Sequence, residues 1–231
     1  MDGNGRWARS RGLDRSEGHE AGYHNIEPVI EWLGEAGVKY ATLFSFSTEN
    51  WGRPQDEVNG LLDLLALGLE EQVDRLHNRG VRLLHVGSLD RLPPAIADGV
   101  RAAVDRTARN PGLTLCLAFD YGGRQDIVQA VRRLITEGVP PGAVTEQEIA
   151  RRLYTSGVPD PDLIIRTGGE FRISNFLLWQ SAYSEFFSTG CNWPDVGPRE
   201  LAAALEAYAG RERRFGLVDS PGAAGHDRSG R

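Results

Sequence analysis

Short apolar runs alternate with longer amphipathic stretches along this chain, the pattern of a mostly parallel sheet flanked by helices. The strand-like runs are Tyr40 to Phe46, Val81 to Val86, Leu113 to Phe119 and Leu163 to Ile165, with a shorter one at Glu185 to Phe187. Ile26, Val29, Ile30 and Leu33 recur at helical spacing, so Glu20 to Ala36 is predicted as one helix with an apolar face. Further helices are predicted over Asp56 to Asn78, Ala95 to Ala108, Gln125 to Glu137, Glu146 to Tyr154 and Pro198 to Arg213, and Pro140, Pro141 and Gly142 mark a loop. No internal repeat interrupts this order. The expected organisation is a single α/β domain over residues 1–217 and a disordered tail over residues 218–231, polar and rich in small residues.

In the helix after Trp51 the leucines occupy more than one face: Leu61, Leu62, Leu64, Leu65, Leu67 and Leu69. A single apolar stripe does not need all of them. Either the helix packs on both sides in the core or at a subunit interface, or one face lines an apolar tunnel in which Ala66 and Gly68 leave room for a hydrocarbon.

Composition adds exclusions. With 231 residues, 40% hydrophobic and 25% charged, the chain can bury a core of ordinary size. A net charge of −6 argues against a general nucleic-acid binder, so any anion site is local. Cys116 and Cys191 are too few for a disulfide framework or a zinc cluster, and a reducing cytoplasm is the expected compartment. No apolar run approaches the roughly 20 residues of a membrane span, and no signal peptide precedes Asp2.

The chemistry concentrates where strands end, which is where ligands sit in doubly wound sheets. Three runs lead into polar or glycine-rich segments: Ser47 to Trp51, Tyr121 to Arg124, and Arg166 to Gly169. Arg166 to Ser174 offers two arginines, two hydroxyls and two glycines, a combination suited to a phosphate group. The opening run Asp2, Gly3, Asn4, Gly5, Arg6, Trp7 reads as a turn that puts a carboxylate, flexible backbone and a guanidinium close together, the kit for a magnesium diphosphate. Glu185 follows an aromatic stretch and is expected to be either paired or a metal ligand. There is no nucleophile elbow, Walker lysine or dinucleotide fingerprint. Two anion sites, one magnesium carboxylate and an apolar cavity suggest two diphosphates joined through their hydrocarbon ends.

These residues resemble the cis-prenyltransferases, most closely the bacterial undecaprenyl diphosphate synthase type, from Asp2 to about Gly216. The motifs are Asp2 to Trp7, Gly18 with His19, Phe46 to Pro54, Tyr121 to Arg124, Arg166 to Trp179 and Arg213 to Gly216. The resemblance implies a homodimer of single-domain subunits, each with an elongated hydrophobic tunnel beneath the active site. It implies magnesium-dependent condensation of isopentenyl diphosphate with an allylic diphosphate such as farnesyl or geranyl diphosphate. The product would be a cis-polyprenyl diphosphate for the cell-wall lipid carrier, made in the cytoplasm with peripheral membrane contact through the lipid.

Position by position, the resemblance makes Asp2 the magnesium aspartate and a catalytic residue, with Gly3, Asn4, Gly5, Arg6, Trp7, Arg15 and His19 around the allylic diphosphate. It gives Arg166, Arg172 and Ser174 to isopentenyl diphosphate and Glu185 to the metal. Phe46, Ser47, Thr48, Glu49, Asn50, Trp51, Arg53 and Glu57 match a segment that closes over substrates, with Asn50 the second catalytic candidate. Arg214, Phe215 and Gly216 match a tail motif completing the isopentenyl site. Asn50 and Ser47 are not basic, so a diphosphate oxygen or a water relay is a candidate proton acceptor.

Two departures stand out. Relatives carry an apolar strand before the aspartate, so this chain is expected either to lack a sheet strand or to have its start assigned too late, with Asp2 on a fraying terminus. Phe171 stands where many bacterial relatives have a polar residue. Small Ser45 beside Phe46 leaves the channel open for a medium or long product. The alternatives are a short-chain cis-prenyl diphosphate synthase, a non-catalytic subunit of a heteromeric prenyltransferase, and a phosphate-binding regulatory module.

Overall fold

A computed structural model describes residues 1–210. Strands β1 (Tyr40–Ser47), β2 (Arg82–Val86) and β3 (Thr114–Tyr121) form a parallel sheet in the order β1-β3-β2. β4 (Leu163–Arg166) and β5 (Glu185–Ser188) form a second parallel pair. All five strands lie where the apolar runs predicted them. β3 is central and buried along nearly its whole length, which is why its sequence shows no polar alternation until Asp120. Phe46 of β1 stacks on Phe119 of β3 at 4.8 Å between ring centroids.

The helices are α1 (Asn4–Ser10), α2 (Arg15–His24), α3 (Ile26–Glu35), α4 (Gln55–Glu71), α5 (Val73–Asn78), α6 (Pro94–Thr107), α7 (Gly123–Thr136), α8 (Glu146–Ala150) and α9 (Pro198–Ala209). The helix expected over Glu20 to Ala36 is two helices, and α2 begins earlier, behind an Asp14–Glu17 capping box. They meet at Asn25, whose side-chain amide donates to the carbonyls of Trp193 (2.7 Å) and Val196 (3.0 Å). The helix expected over Asp56 to Asn78 breaks at Gln72, and the one expected to reach Tyr154 stops at Ala150. The opening run is not an isolated turn: Asp2 and Gly3 lead directly into α1.

The edge of β1 not paired with β3 and the strand β4 face each other across a cavity of about 1230 Å³. Its walls include β1 from Tyr40 to Ser45, β4, the start of α1, and one side of α4. The leucine-rich helix packs into the core on one side and meets the cavity on another. Val58, Leu62 and Leu65 are buried in a core cluster with Phe46 and Phe119, and Leu61, Leu64 and Gly68, with Leu65, line the cavity.

Candidate active site

Asp2 lies at the cavity mouth and does not fray. Its N–H donates to Thr167 Oγ1 at 2.8 Å, that hydroxyl donates back to the Asp2 carbonyl at 2.7 Å, and the Trp193 N–H donates to the same carbonyl at 3.0 Å. The carboxylate accepts from the Gly3 N–H (2.7 Å) and from Arg166 Nη2 (2.9 Å), and Arg6 Nη2 lies 3.3 Å away. Burial alone would raise its pKa, but the hydrogen bond and charge of Arg166, the Gly3 N–H and Arg6 together hold it below the ordinary value.

Glycines make this approach possible. A Cβ on Gly18 of α2 would run into the Asn4 carbonyl, and one on Gly22 would come 2.8 Å from Asn4 Oδ1. The two face α1 four residues apart, so α1 packs close to α2. Gly168, at φ +81°, would place a Cβ 2.5 Å from Arg6 Nη2.

The loop after β4 supplies the guanidiniums. Arg166 Nη1 donates to Ser174 Oγ at 2.8 Å and to the Arg172 carbonyl, while Arg172 pairs with Glu170 at 2.5 Å. Ser174 (φ 49°) and Asn175 (φ 64°) are both left-handed, a conformation that costs of order 1–3 kcal/mol per non-glycine residue and clusters at functional sites. Asn175 then accepts from the N–H groups of Gly123 (2.7 Å) and Arg124 (2.9 Å), fixing the loop to the start of α7.

On the opposite side Glu57 is a hub. Its Oε1 meets Arg53 Nη1 at 2.8 Å, Arg15 Nε at 3.0 Å and His19 Nε2 at 3.2 Å. Burial alone would raise the Glu57 carboxyl, but Arg53, Arg15 and His19 outweigh it and hold the group low. Burial pushes His19 below its usual value in spite of Glu57, which pulls the other way. Ser47, Asn50 and Arg53 line the cavity, and Asn50 Oδ1 accepts from the Ser47 N–H at 3.0 Å.

The structure thus brings together Asp2, Gly3, Asn4, Gly5, Arg6, Arg15, His19, Ser47, Asn50, Arg53, Arg166, Arg172 and Ser174 around one cavity. Other expected contacts lie elsewhere. Trp7 turns its N–H to Asp195 at 2.7 Å, under Arg11, and fixes α1 to the turn Trp193–Asp195. Phe46 is fully buried in the core. Thr48 packs against Gly122, Glu49 accepts from Asn175 at 2.7 Å, and Trp51 donates to Asp120 at 2.9 Å. Glu185 opens β5 opposite Leu163, about 10 Å of strand before the register where Arg166 sits, and does not line the cavity. Arg214, Phe215 and Gly216 lie outside the described residues.

The pair Arg91–Asp120 was not singled out from sequence, and Thr167 was read there only as a hydroxyl suited to phosphate, not as the anchor of Asp2. Asp120 carries a signal, a carboxylate near the end of a buried apolar strand, immediately before Tyr121 and Gly122. Arg91 carries none.

Among the described residues, no three His, Cys, Asp or Glu side chains converge as a metal cage. The donor set at Asp2 suits magnesium nonetheless. Magnesium is commonly held by one or two carboxylates with substrate phosphates and water filling the octahedron, and Asp2 presents one partly exposed carboxylate beside guanidiniums that suit phosphate. No described helix is long and apolar enough to cross a membrane.

Comparison with known proteins agrees with this geometry. A family model described as putative undecaprenyl diphosphate synthase matches residues 1–216. An isoprenyl transferase of Chromobacterium violaceum is 51% identical over 216 residues, covering 94% of this chain and 85% of the relative. One of Heliobacterium mobile is 48% identical over 222 residues, covering 94% and 85%. Among solved structures, lavandulyl diphosphate synthase from Lavandula x intermedia, in complex with dimethylallyl diphosphate, superposes with a TM-score of 0.89 at 35% identity, covering 94% of this chain and 95% of that one. A probable undecaprenyl diphosphate synthase of Campylobacter jejuni gives 0.78 at 31% identity, covering 85% and 92%. The chain belongs to the undecaprenyl diphosphate synthase family of prenyltransferases.

Proposed function

We propose that this protein is a magnesium-dependent cis-prenyltransferase that condenses isopentenyl diphosphate with an allylic diphosphate such as farnesyl or geranyl diphosphate. The observation that carries the reading is the Asp2–Arg166 pair, 164 residues apart in sequence and bonded at the mouth of a cavity with an apolar leucine wall. The allylic diphosphate lies by Asp2, Arg6, Arg15 and His19, and isopentenyl diphosphate by Arg166, Arg172 and Ser174. The hydrocarbon extends along Leu61, Leu64 and Gly68.

Asp2 would hold magnesium, which would supply positive charge to offset that of the departing pyrophosphate. Arg6 and Arg15 take up the same charge as the allylic carbon–oxygen bond breaks and its electron pair leaves with pyrophosphate. Arg166 and Arg172 hold isopentenyl diphosphate so that its double bond forms the new carbon–carbon bond. The proton released from the resulting cation passes to a pyrophosphate oxygen or a relayed water, since Ser47 and Asn50 position but do not act as bases. The protein works as a homodimer, its Arg214–Gly216 motif completes the isopentenyl site, and its product serves as a cell-wall lipid carrier at the membrane surface.

Incubation with labelled isopentenyl diphosphate, farnesyl diphosphate and magnesium is expected to give a chain-extended product, and a chelator to abolish it. Absence of any extended product with farnesyl, geranyl or dimethylallyl diphosphate as primer overturns the reading.

A further inference from the structure

Asp120, the penultimate residue of β3, has its carboxylate fully buried and its backbone at φ 51°, a left-handed conformation uncommon outside glycine, asparagine and aspartate. Both of its oxygens are used. Oδ2 accepts from Arg91 Nε at 3.0 Å, and Oδ1 accepts from Arg91 Nη2 and from the indole N–H of Trp51 at 2.9 Å. The Arg91 guanidinium also lies 5.1 Å from the centroid of the Trp51 ring, within cation–π range. The three side chains close a triangle in which every pair interacts.

Each vertex comes from a different strand end. Trp51 belongs to the turn Thr48–Gly52 after β1, Asp120 is the penultimate residue of β3, and Arg91 lies in the loop after β2. The triangle ties together the carboxyl ends of the three-stranded sheet without lining the cavity. Trp51 also meets Phe46 edge-on at 5.1 Å, so its ring is held on several sides. Its immediate neighbour Asn50 and the nearby Ser47 and Arg53 do line the cavity.

A buried carboxylate in a left-handed backbone is costly, and a core position alone does not call for it. We propose that Asp120 and Arg91 are positioning residues for the condensation: by clamping Trp51 they set where Asn50, Ser47 and Arg53 stand at the cavity mouth. This rests on the assignment of the Ser47–Arg53 segment to the substrate site. An arginine is needed because its fork grips the carboxylate in two places while its guanidinium lies over the indole, a two-point grip that a lysine cannot make.

The test uses Asp120→Asn, Arg91→Ala, Arg91→Lys and the double variant Asp120→Asn/Arg91→Ala. Asparagine tolerates the left-handed backbone, so folding is expected to survive. Each single variant, Arg91→Lys included, is expected to lose about tenfold in kcat/KM per folded molecule, equivalent to one lost charge-assisted hydrogen bond. The double variant should be no worse than the worse single one, because groups acting as a unit are non-additive. Acrylamide quenching of Trp51 fluorescence, isolated by difference against Trp51→Phe, should rise in every clamp variant. A purely structural role would lower the melting temperature while leaving kinetic constants and quenching at wild-type values, and that outcome overturns the proposal, as does a strictly additive double variant. If the wild type makes no product at all, the functional reading fails, and unchanged quenching would then separately refute the clamp.

Discussion

Two aspartate–arginine pairs stand on the same rim and differ in which partner is exposed. In Asp2–Arg166 the carboxylate side chain is 38% exposed and the guanidinium 15%; in Asp120–Arg91 the carboxylate is 0% exposed and the guanidinium 45%. The first pair opens its acid toward the cavity, with an oxygen lone pair to spare for a ligand. In the second, three donors point at the two oxygens and nothing faces the cavity. The same two residue types therefore make a binding group in one place and a fastening in the other. Exposure of the acid decides which.

The largest expected effect separates the pairs directly. Asp2→Ala should reduce kcat/KM by at least about a hundredfold, the scale for losing a principal electrostatic group from a site, while circular dichroism and melting remain close to wild type. Asp120→Ala should do the opposite in proportion: a loss of about 1–3 kcal/mol in urea unfolding, as for a buried hydrogen-bonded group, with a smaller loss of rate. If Asp2→Ala kept near-normal turnover, its assignment as a ligand-facing acid would be wrong.

Arg166→Lys probes geometry at constant charge. Arg166 reaches Asp2, Ser174 and the Arg172 carbonyl with one planar fork, which an ammonium cannot reproduce. The KM for isopentenyl diphosphate should rise about tenfold, roughly one charge-assisted hydrogen bond, with a lesser change for the allylic substrate. Equal changes in both would mean that Arg166 serves the site as a whole.

Two glycines sharpen the contrast further. Gly87, at φ +139°, sits against the Phe119 and Asp120 carbonyls, and a Cβ there would strike rigid backbone. Gly168, at φ +81°, meets most closely the far end of the Arg6 side chain, which can move, with the Asp2 carbonyl farther off at 3.2 Å. Gly87→Ala should therefore cost about 2–3 kcal/mol, combining left-handed strain with overpacking. Gly168→Ala should cost about 1 kcal/mol of backbone strain yet depress activity more, since Arg6 is displaced from Asp2. Denaturant titration beside steady-state kinetics distinguishes the two, and equal stability losses would contradict the assignment.

The sequence made the strand positions legible because each is a compact apolar run, and it made the Asp2 to Arg6 and Arg166 to Ser174 segments legible because charge and glycine cluster there. Helix interruptions at Asn25 and Gln72 were not legible. Asn25 is an acceptable helix residue, and only its bonds to Trp193 and Val196, far along the chain, explain the break. Phe46 and Trp51 show the limit of motif reading: both lie within the Phe46–Pro54 motif, yet one is core and the other is held by Asp120. Asp2 was expected to fray, and Thr167 and Trp193 hold it in place through contacts no local pattern encodes.

Glu57 lies between the two extremes, 14% exposed and surrounded by Arg53, Arg15 and His19. Because burial lowers the His19 pKa below 6.5 in the folded protein, the unfolded chain takes up its proton first as pH falls. Stability from this group is therefore fully present above about 6.5 and declines as pH drops from there toward the folded value. Glu57→Gln removes the one neighbour that raises the His19 pKa and leaves Arg53 and Arg15, which lower it. The His19 titration should move further down and the acid-side loss of stability should grow. NMR of the imidazole protons, with His19 assigned among the five histidines by a His19→Asn variant, measures both midpoints. An unchanged His19 midpoint in Glu57→Gln would mean that Glu57 is wholly committed to Arg53 and Arg15 and leaves His19 untouched.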